Sequence, residues 1–245
     1  MLTNNYQTTI KQLSNNYQTI REARVLHKSY ISKENNKLGL PDSFLNQHIA
    51  FDLGVKELSL DLSSRLKCKV IQGKYSRLLI DLNRDLTDPT VIPEIVDRKI
   101  IPGNIGLSKS EVRLRVEKIY NKYHQEIDRT IKNEKVKVIL SLHSFNPIFK
   151  NKKRLLEFGV LSNEDKTLSS IIIDQLKLKK LNVGDNKPYR GNLIGDSMYR
   201  HGLRNRLPHV LIEVRNDLLS NPTKIKRVSR LLHKTIVASL KKLAS

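Results

Sequence analysis

Polar residues that could perform chemistry stand at or near the ends of four predicted β-strands. His27 follows the first of these strands, His143 follows the central one, and Glu213 lies within the last. An imidazole that leaves a buried strand can bind a metal or transfer a proton. A carboxylate inside an apolar strand needs a charged partner or a metal, because its burial is otherwise costly. Since parallel strands end at one edge of a sheet, we expect these side chains to converge there.

Two arginines are placed to bind carboxylates. Asn83 and Arg84 follow another predicted strand, and Arg215 lies just beyond Glu213. A guanidinium group at a sheet edge can hold a carboxylate through paired hydrogen bonds. Each arginine, considered singly, fits a structural ion pair equally well.

The other candidate residues also have ordinary structural interpretations. His143 could be a hydrogen-bonded histidine at the edge of the core, and strand alternation could place Glu213 on a solvated face with Arg215. His48 and Asp52 have an i, i+4 helical spacing, which suits either a metal pair or a local hydrogen bond. The sequence contains no phosphate-binding glycine loop, nucleophile elbow, dinucleotide fingerprint or two-histidine helix of metalloproteases. It therefore disfavours those classes of enzyme.

Short β-branched runs alternate with longer helical periods, a pattern that predicts an α/β fold with a mainly parallel sheet flanked by helices. The predicted strands are Ala23–Leu26, Lys69–Ile71, Arg77–Leu82, Val136–Leu142, Glu157–Leu161 and His209–Val214. The predicted helices are Phe44–Leu66, Glu111–Ile131, Lys166–Leu181 and Lys224–Leu243. The strand Val136–Leu142 is almost continuously apolar toward its end, as expected of a central strand that is covered on both faces.

Long irregular segments and an N-terminal repeat lie outside these elements. Residues 88–109 and 183–208 are predicted to cover the carboxyl edge of the sheet, where open α/β folds bind ligands. The sequence Asn-Asn-Tyr-Gln-Thr occurs twice within residues 1–21. Because two copies do not make a solenoid, we interpret that segment as an extension, and residues 22–245 as a single α/β domain with a basic C-terminal helix.

The chain is strongly basic. Its 45 Lys and Arg residues outnumber its 24 Asp and Glu residues, which gives a formal net charge of +21. A surface of this charge attracts small anionic substrates, polyanions such as RNA, or anionic lipid. The final predicted helix carries only basic charges, namely Lys224, Lys226, Arg227, Arg230, Lys234, Lys241 and Lys242.

Cysteine content and hydropathy indicate the cellular environment. The single cysteine, Cys68, excludes an internal disulfide framework and is compatible with a reducing compartment. No window approaches the roughly 20 apolar residues of a membrane span, and the N-terminal segment lacks the apolar centre of a secretory signal. We therefore expect a cytoplasmic protein, with an organelle matrix as the alternative.

Seven blocks of the sequence are informative in combination. They are His48–Gly54, Tyr75–Arg84, Ile101–Asn104, Tyr123–His124, Leu142–Pro147, Val183–Tyr189 and Ile212–Leu218. In this order they resemble the N-formylglutamate amidohydrolase family, from about residue 25 to residue 220 of this chain. The sequence departs from the family pattern near His27, where Tyr30 replaces the expected Asn and Lys28 adds a positive charge.

The resemblance implies a fold similar to that of zinc carboxypeptidases and aspartoacylases, and hydrolysis of N-formylglutamate or another N-acylated acidic amino acid. It implies that zinc or another divalent metal binds His27 and His143, and that Glu213 is the catalytic residue. The implied substrate-binding residues are Arg84, Arg215 and Asn83, and the candidate accessory residues are His48, Asp52 and Asp185. The alternative is a descendant of this fold that has lost its chemistry and acts as a basic RNA-binding component of a larger assembly.

Overall fold

The computed structural model describes residues 23–26, as backbone, and residues 37–244. The predicted extension over residues 1–21 lies outside the described residues. So do His27, a predicted metal ligand, and Tyr30, which departs from the family pattern.

A six-stranded sheet forms the centre of the described fold. Its strands are β1 (Ala23–Leu26), β2 (Val70–Gly73), β3 (Ile139–Phe145), β4 (Phe158–Leu161), β5 (Val183–Asp185) and β6 (His209–Arg215). They lie in the order β2-β1-β3-β6-β4-β5, and every neighbouring pair is parallel except β6 and β4. The predicted α/β fold with a mainly parallel sheet is confirmed, and the central pair β3 and β6 joins two distant parts of the chain.

Helices and short turns surround this sheet. The α-helices are α1 (Asp42–Leu45), α2 (Val55–Leu66), α3 (Lys109–Arg115), α4 (Lys122–Glu134), α5 (Thr167–Lys177) and α6 (Pro222–Ala244). One π-helical turn, Val116–Asn121, joins α3 to α4, and another occupies Met198–Leu203. The 3₁₀ turns are residues 37–39, Pro102–Asn104 and Asn216–Leu219. Two-residue hairpins pair Ile95–Val96 with Lys99–Ile100, and Ile148–Phe149 with Lys152–Lys153.

The alternation of side chains along β3 and β6 separates the largest apolar cluster from the face of the sheet that carries the polar site residues. The even-numbered residues pack with α2, α5 and α6 in the largest core cluster: Leu140, Leu142, Val210, Ile212 and Val214. The odd-numbered residues Ser141, His143 and Glu213 therefore point to the opposite face. His143 and Glu213, which were predicted to perform chemistry, thus lie on the side of the sheet away from α6.

The predicted strand Arg77–Leu82 is wrong, because these residues form consecutive turns. Three of them are fully buried, which explains why the segment has the apolarity of a strand. Side chains replace a neighbouring strand as hydrogen-bond partners. The side-chain amide of Asn104 donates to the backbone carbonyl of Leu78 at 2.8 Å. The guanidinium of Arg115 donates to the backbone carbonyl of Leu79 at 3.1 Å. These bonds satisfy backbone groups that burial would otherwise leave without partners.

The predicted helix Phe44–Leu66 is wrong in its first half, where turns separate α1 from α2. Gly54 precedes α2 with a φ of +74°, a left-handed conformation that favours glycine. A Cβ atom at this position would lie 2.5 Å from the Cβ atom of Leu219, so the chain also passes too close for a side chain. His48 and Asp52 consequently lie on a loop, and their approach to each other does not come from a helical repeat.

The other predicted elements are confirmed, and all of them except Ala23–Leu26 have shifted ends. Among the elements that form the site, the largest shift is in β3, which ends at Phe145 and not at the predicted Leu142. His143 therefore lies within the central strand, not after it. Among the described helices, none is long and apolar enough to cross a membrane.

Candidate active site

A cavity of about 360 Å³ opens on the polar face of the sheet, above β3 and β6. Its walls come from these strands, the loop before α2, the buried turns after β2 and the segment 189–198. The expectation that residues 183–208 cover a site is confirmed. The same expectation for residues 88–109 is wrong, because within the described chain no residue of that segment lines the cavity.

Asp52 links a histidine and an arginine in the wall of the cavity. Its Oδ2 atom lies 2.8 Å from Nδ1 of His143, and its Oδ1 atom pairs with the guanidinium of Arg77. Burial alone would raise the pKa of Asp52, but the Arg77 charge and the His143 hydrogen bond hold that pKa well below its usual range. Asp52 is therefore ionised at neutral pH and accepts the hydrogen bond from His143.

Glu213 lies beside His143 in the register of the parallel strands β6 and β3. Only 6% of the residue is exposed, and its Oε2 atom has no hydrogen-bond partner among the described residues. Burial raises the pKa of Glu213 from 4.5 to about 7, and although the His143 and Arg77 charges oppose this rise, the Asp52 charge adds to it. A carboxyl group that titrates near neutral pH is suited to accept a proton and to return it.

His48 lies on the loop before α2 and supplies a third polar group to this wall. Its Nδ1 atom is 3.9 Å from Oδ1 of Asp52 and has no hydrogen-bond partner among the described residues. Burial lowers the pKa of His48 to about 4, although the charge of Asp52 opposes the shift. The side chain is therefore a neutral imidazole at neutral pH, which is the form that binds metals.

The chemistry of these donors fits a zinc ion. Zinc binds imidazole nitrogen and carboxylate oxygen. His143 and Asp52 supply one of each, and these two atoms lie within hydrogen-bond distance of each other. Within the described residues, no group of three His, Cys, Asp or Glu side chains is arranged to hold a metal. The further donor predicted at His27 lies outside those residues. However, β1 ends one residue before it, and Val25 of β1 is the register partner of Leu142, next to His143.

Arg84 and Asn83 line the cavity, as their predicted role in substrate binding requires. The backbone carbonyl of Arg84 accepts a hydrogen bond from the hydroxyl of Tyr120 at 2.6 Å, so the main chain is held firmly. The Nε atom of Arg84 is 3.9 Å from Asp88, which is a loose ion pair. Asn83 accepts a hydrogen bond from the backbone of Ser197 at 3.1 Å, which joins two walls of the cavity.

Arg215, which was predicted to bind substrate, does not line the cavity, and its guanidinium makes hydrogen bonds within the fold. Its guanidinium donates to both oxygens of Asp217, at 2.7 and 3.3 Å. It also donates to the carbonyl groups of residues 154–156, at 3.0, 3.3 and 3.3 Å. These bonds fix the chain before β4. Asp185, a predicted accessory residue, is exposed on β5 and likewise lies outside the cavity lining.

Arg77 and Tyr189 are among the cavity residues that were not singled out from the sequence. Arg77 was hidden within a predicted strand, where alternation gives no reason to place a guanidinium beside Asp52. Tyr189 also lines the cavity, and its hydroxyl accepts a long hydrogen bond of 3.4 Å from Arg154. Both residues lie in sequence blocks that carry the family resemblance, and this was the available signal.

The fold and the cavity define an α/β protein whose central strands present a histidine and a buried glutamate to an aspartate on a neighbouring loop. The chain belongs to the N-formylglutamate amidohydrolase family, whose sequence model matches residues 26–220. This membership supports a hydrolase that acts on amide bonds.

Solved structures agree with this assignment. The chain is similar to the gene product Atu2144 from Agrobacterium tumefaciens, with 26% identity and a TM-score of 0.87 over 95% of this chain and 94% of that chain. It also has the fold of the N-formylglutamate amidohydrolase from Ralstonia eutropha JMP134, with 17% identity and a TM-score of 0.62 over 92% and 94% of the two chains. No curated protein matches the sequence.

Proposed function

We propose that this protein is a metal-dependent amidohydrolase that cleaves the N-formyl, or another N-acyl, amide of an acidic amino acid such as N-formylglutamate. The observation that carries the proposal is the position of Glu213. Its carboxyl group is buried, lacks a hydrogen-bond partner for Oε2 among the described residues, and adjoins His143 in a cavity that also contains a guanidinium group. Cys68 is the single cysteine of the chain, which suits the cytoplasm that the sequence predicts.

Asp52 and His143 would hold the metal, together with His27 as the predicted further ligand. His48 is a neutral imidazole at the same wall and could supply another donor. When bound, a zinc ion polarises the carbonyl oxygen of an amide and acidifies water. Arg77 would keep Asp52 ionised, and an ionised carboxylate is the form that binds metals.

Glu213 would act as the general base and then as the general acid. In its ionised form it accepts a proton from the attacking water. In its protonated form it donates that proton to the nitrogen of the leaving amino acid, so that the carboxylate is restored at the end of the reaction. A pKa of about 7 allows both forms to be populated at neutral pH. The lack of a hydrogen bond to Oε2 within the described chain leaves one oxygen available for this transfer.

Arg84 would bind a carboxylate of the substrate. Its main chain is fixed by Tyr120, while its guanidinium is only loosely paired with Asp88. Charge-assisted hydrogen bonds from a guanidinium to a carboxylate are strong and directional. Asn83 adds an amide at the same wall, and the cavity of about 360 Å³ has the size of a small-molecule site.

The proposal is tested with purified protein and N-formylglutamate, by following the release of formate. We expect turnover that is lost on treatment with a chelator and recovered on addition of zinc. Glu213→Gln should lower kcat by a factor of about 10² to 10⁴, because it removes the proton-transfer group and preserves the shape. The exposed Glu94→Gln serves as the matched control and should retain turnover. Full activity in the Glu213 variant, or in metal-free protein, would contradict the proposal.

A further inference from the structure

The C-terminal helix α6 presents a row of cations that the proposed chemistry does not use. At about 100° per residue, five basic residues fall within an arc of roughly 100°, opposite the buried side of the helix. We call them the basic face of α6, and they are Lys226, Arg227, Arg230, Lys234 and Lys241, all of which are exposed. At about 1.5 Å per residue, the basic face is about 22 Å long.

Acidic side chains do little to offset the charge of the basic face. The helix contains no acidic residue. Across the described residues, the salt bridges include none of Lys226, Arg227, Arg230 and Lys234. The charge of Lys226 acts on Asp61 of the neighbouring helix α2. The carboxylate of Asp61, however, forms its ion pair with Arg65, at 2.6 Å.

We propose that the basic face of α6 binds the phosphate backbone of a nucleic-acid duplex. A duplex carries one negative charge for about every 1.7 Å of its axis, so a row of this length can meet several phosphates at once. Lysine and arginine donate hydrogen bonds to phosphate oxygens, and such contacts carry no direct information about the base sequence. We therefore expect binding at this face to be independent of sequence.

The composition of α6 favours a duplex over other polyanions. Unpaired strands are held by stacking of their bases on aromatic rings, and α6 contains no Phe, Tyr or Trp. A membrane-binding helix inserts large apolar side chains, and within the described chain no exposed large hydrophobic residue belongs to α6. The basic face carries positive charge alone, which matches a regular array of phosphates.

The position of α6 makes this interaction separate from the cavity. The helix packs on the face of the sheet that carries Leu140 and Ile212, whereas His143 and Glu213 point to the other face. A duplex on α6 therefore leaves the cavity open, and charge changes on the basic face leave amide hydrolysis unchanged. This separation allows the two properties to be tested independently.

The test measures binding of fluorescent RNA and DNA duplexes of about 20 base pairs, by anisotropy, between about 50 and 200 mM salt. The test variant combines Lys226→Gln, Arg230→Gln and Lys234→Gln. The control variant combines Lys109→Gln, Arg113→Gln and Lys118→Gln, which removes the same types and number of charges from exposed positions on and next to α3. Far-ultraviolet circular dichroism and thermal melting verify that both variants fold.

We expect wild type to bind both duplexes with an affinity that falls steeply with salt. The test variant should reduce the slope of log Kd against log salt by about 3, because each lost phosphate contact removes roughly 0.9 from it. Its affinity should fall at least about tenfold, while the control variant changes by less than about threefold.

Three results would overturn the proposal. Equal losses in the two variants would mean that only net charge matters. Tighter binding of single strands than of duplexes would contradict recognition of a paired backbone. Retention of the protein on phosphatidylserine vesicles, lost in the test variant and without any duplex binding, would assign the basic face to a membrane surface.

Discussion

The Nδ1 atom of His143 lies 2.8 Å from the Oδ2 atom of Asp52, so one hydrogen bond joins the central strand β3 to the loop before α2. As a neutral imidazole, His143 donates this hydrogen bond from Nδ1, and its Nε2 atom is 3.1 Å from the hydroxyl of Ser141. A metal held by both Asp52 and His143 would replace the hydrogen bond, so the contact orients the ring of His143 toward the other proposed ligand. A substitution of His143 is therefore the most direct test of metal binding at this site.

His143→Ala should remove bound metal. We expect wild type to contain about one zinc ion per chain after dialysis against zinc, and the variant to contain much less, because it loses a proposed ligand. The control is His233→Ala on α6, on the other face of the sheet, which should keep its zinc. Elemental analysis provides the measurement. Equal zinc content in the two variants would exclude His143 as a ligand.

Glu213 should make the stability of the metal-free protein depend on pH. Its pKa rises from 4.5 to about 7 on folding, so between these values the folded state binds more protons than the unfolded state. The free energy of unfolding therefore falls as the pH rises from about 4.5 through about 7. Glu213→Gln removes this dependence and should gain about 3 kcal/mol relative to wild type over that range. Urea unfolding of both proteins with a chelator measures the difference, and a gap that does not change with pH would contradict a buried, titrating Glu213.

Arg84 and Arg215 should respond differently to substitution. Arg84→Met should raise KM for an N-formylated acidic amino acid by about 10- to 100-fold, because a charge-assisted hydrogen bond to the substrate is lost. KM for an N-formyl amino acid with an uncharged side chain should change less. Arg215→Met should instead lower the melting temperature, because several hydrogen bonds to Asp217 and to residues 154–156 disappear. A larger KM effect at Arg215 than at Arg84 would reverse the assignment.

Gly159→Ala should disturb the cavity without removing a polar group. Gly159 is the register partner of Glu213 in the antiparallel pair of β4 and β6. A Cβ atom there would overlap the carbonyl oxygen of Lys187 and lie 3.2 Å from the Cβ atom of Glu213, so the wall that carries Tyr189 must move. We expect stability to fall by about 1–3 kcal/mol and kcat/KM to fall at least about tenfold.

Gly106→Ala provides the comparison for that variant. Gly106 has a φ of +66°, and a Cβ atom added to it would meet no other atom within 4 Å, so alanine encounters only backbone strain. It should cost about 1 kcal/mol of stability and leave turnover unchanged. Normal kinetics in Gly159→Ala would show that the wall near Tyr189 tolerates displacement.

The sheet was predictable because its strands are dense in apolar residues. The run that became β3 and the run that became β6 are buried along almost their whole length, so hydropathy alone located them. The same signal failed at Leu78 and Leu79, which are equally buried but lie in turns whose carbonyl groups bind the side chains of Asn104 and Arg115. Periodicity carries no information about partners that lie far away in the chain.

The site was predictable only in part for a similar reason. His143 and Glu213 stand out because a polar residue interrupts an apolar strand. The pairing of Arg77 with Asp52 depends on the course of two loops, and no local pattern reveals it. Arg215 has the residue type expected of a carboxylate-binding group, but in the folded chain its guanidinium is already paired with Asp217.

The pleat of β3 makes its length as important as its composition. Deleting one residue between Ile139 and Leu142 would move His143 to the apolar face of the sheet. It would also bring a leucine to the face that lines the cavity. A two-residue deletion would keep every side chain on its original surface. Evolution of this strand is therefore free to exchange side chains of similar size, but it can gain or lose residues only in pairs.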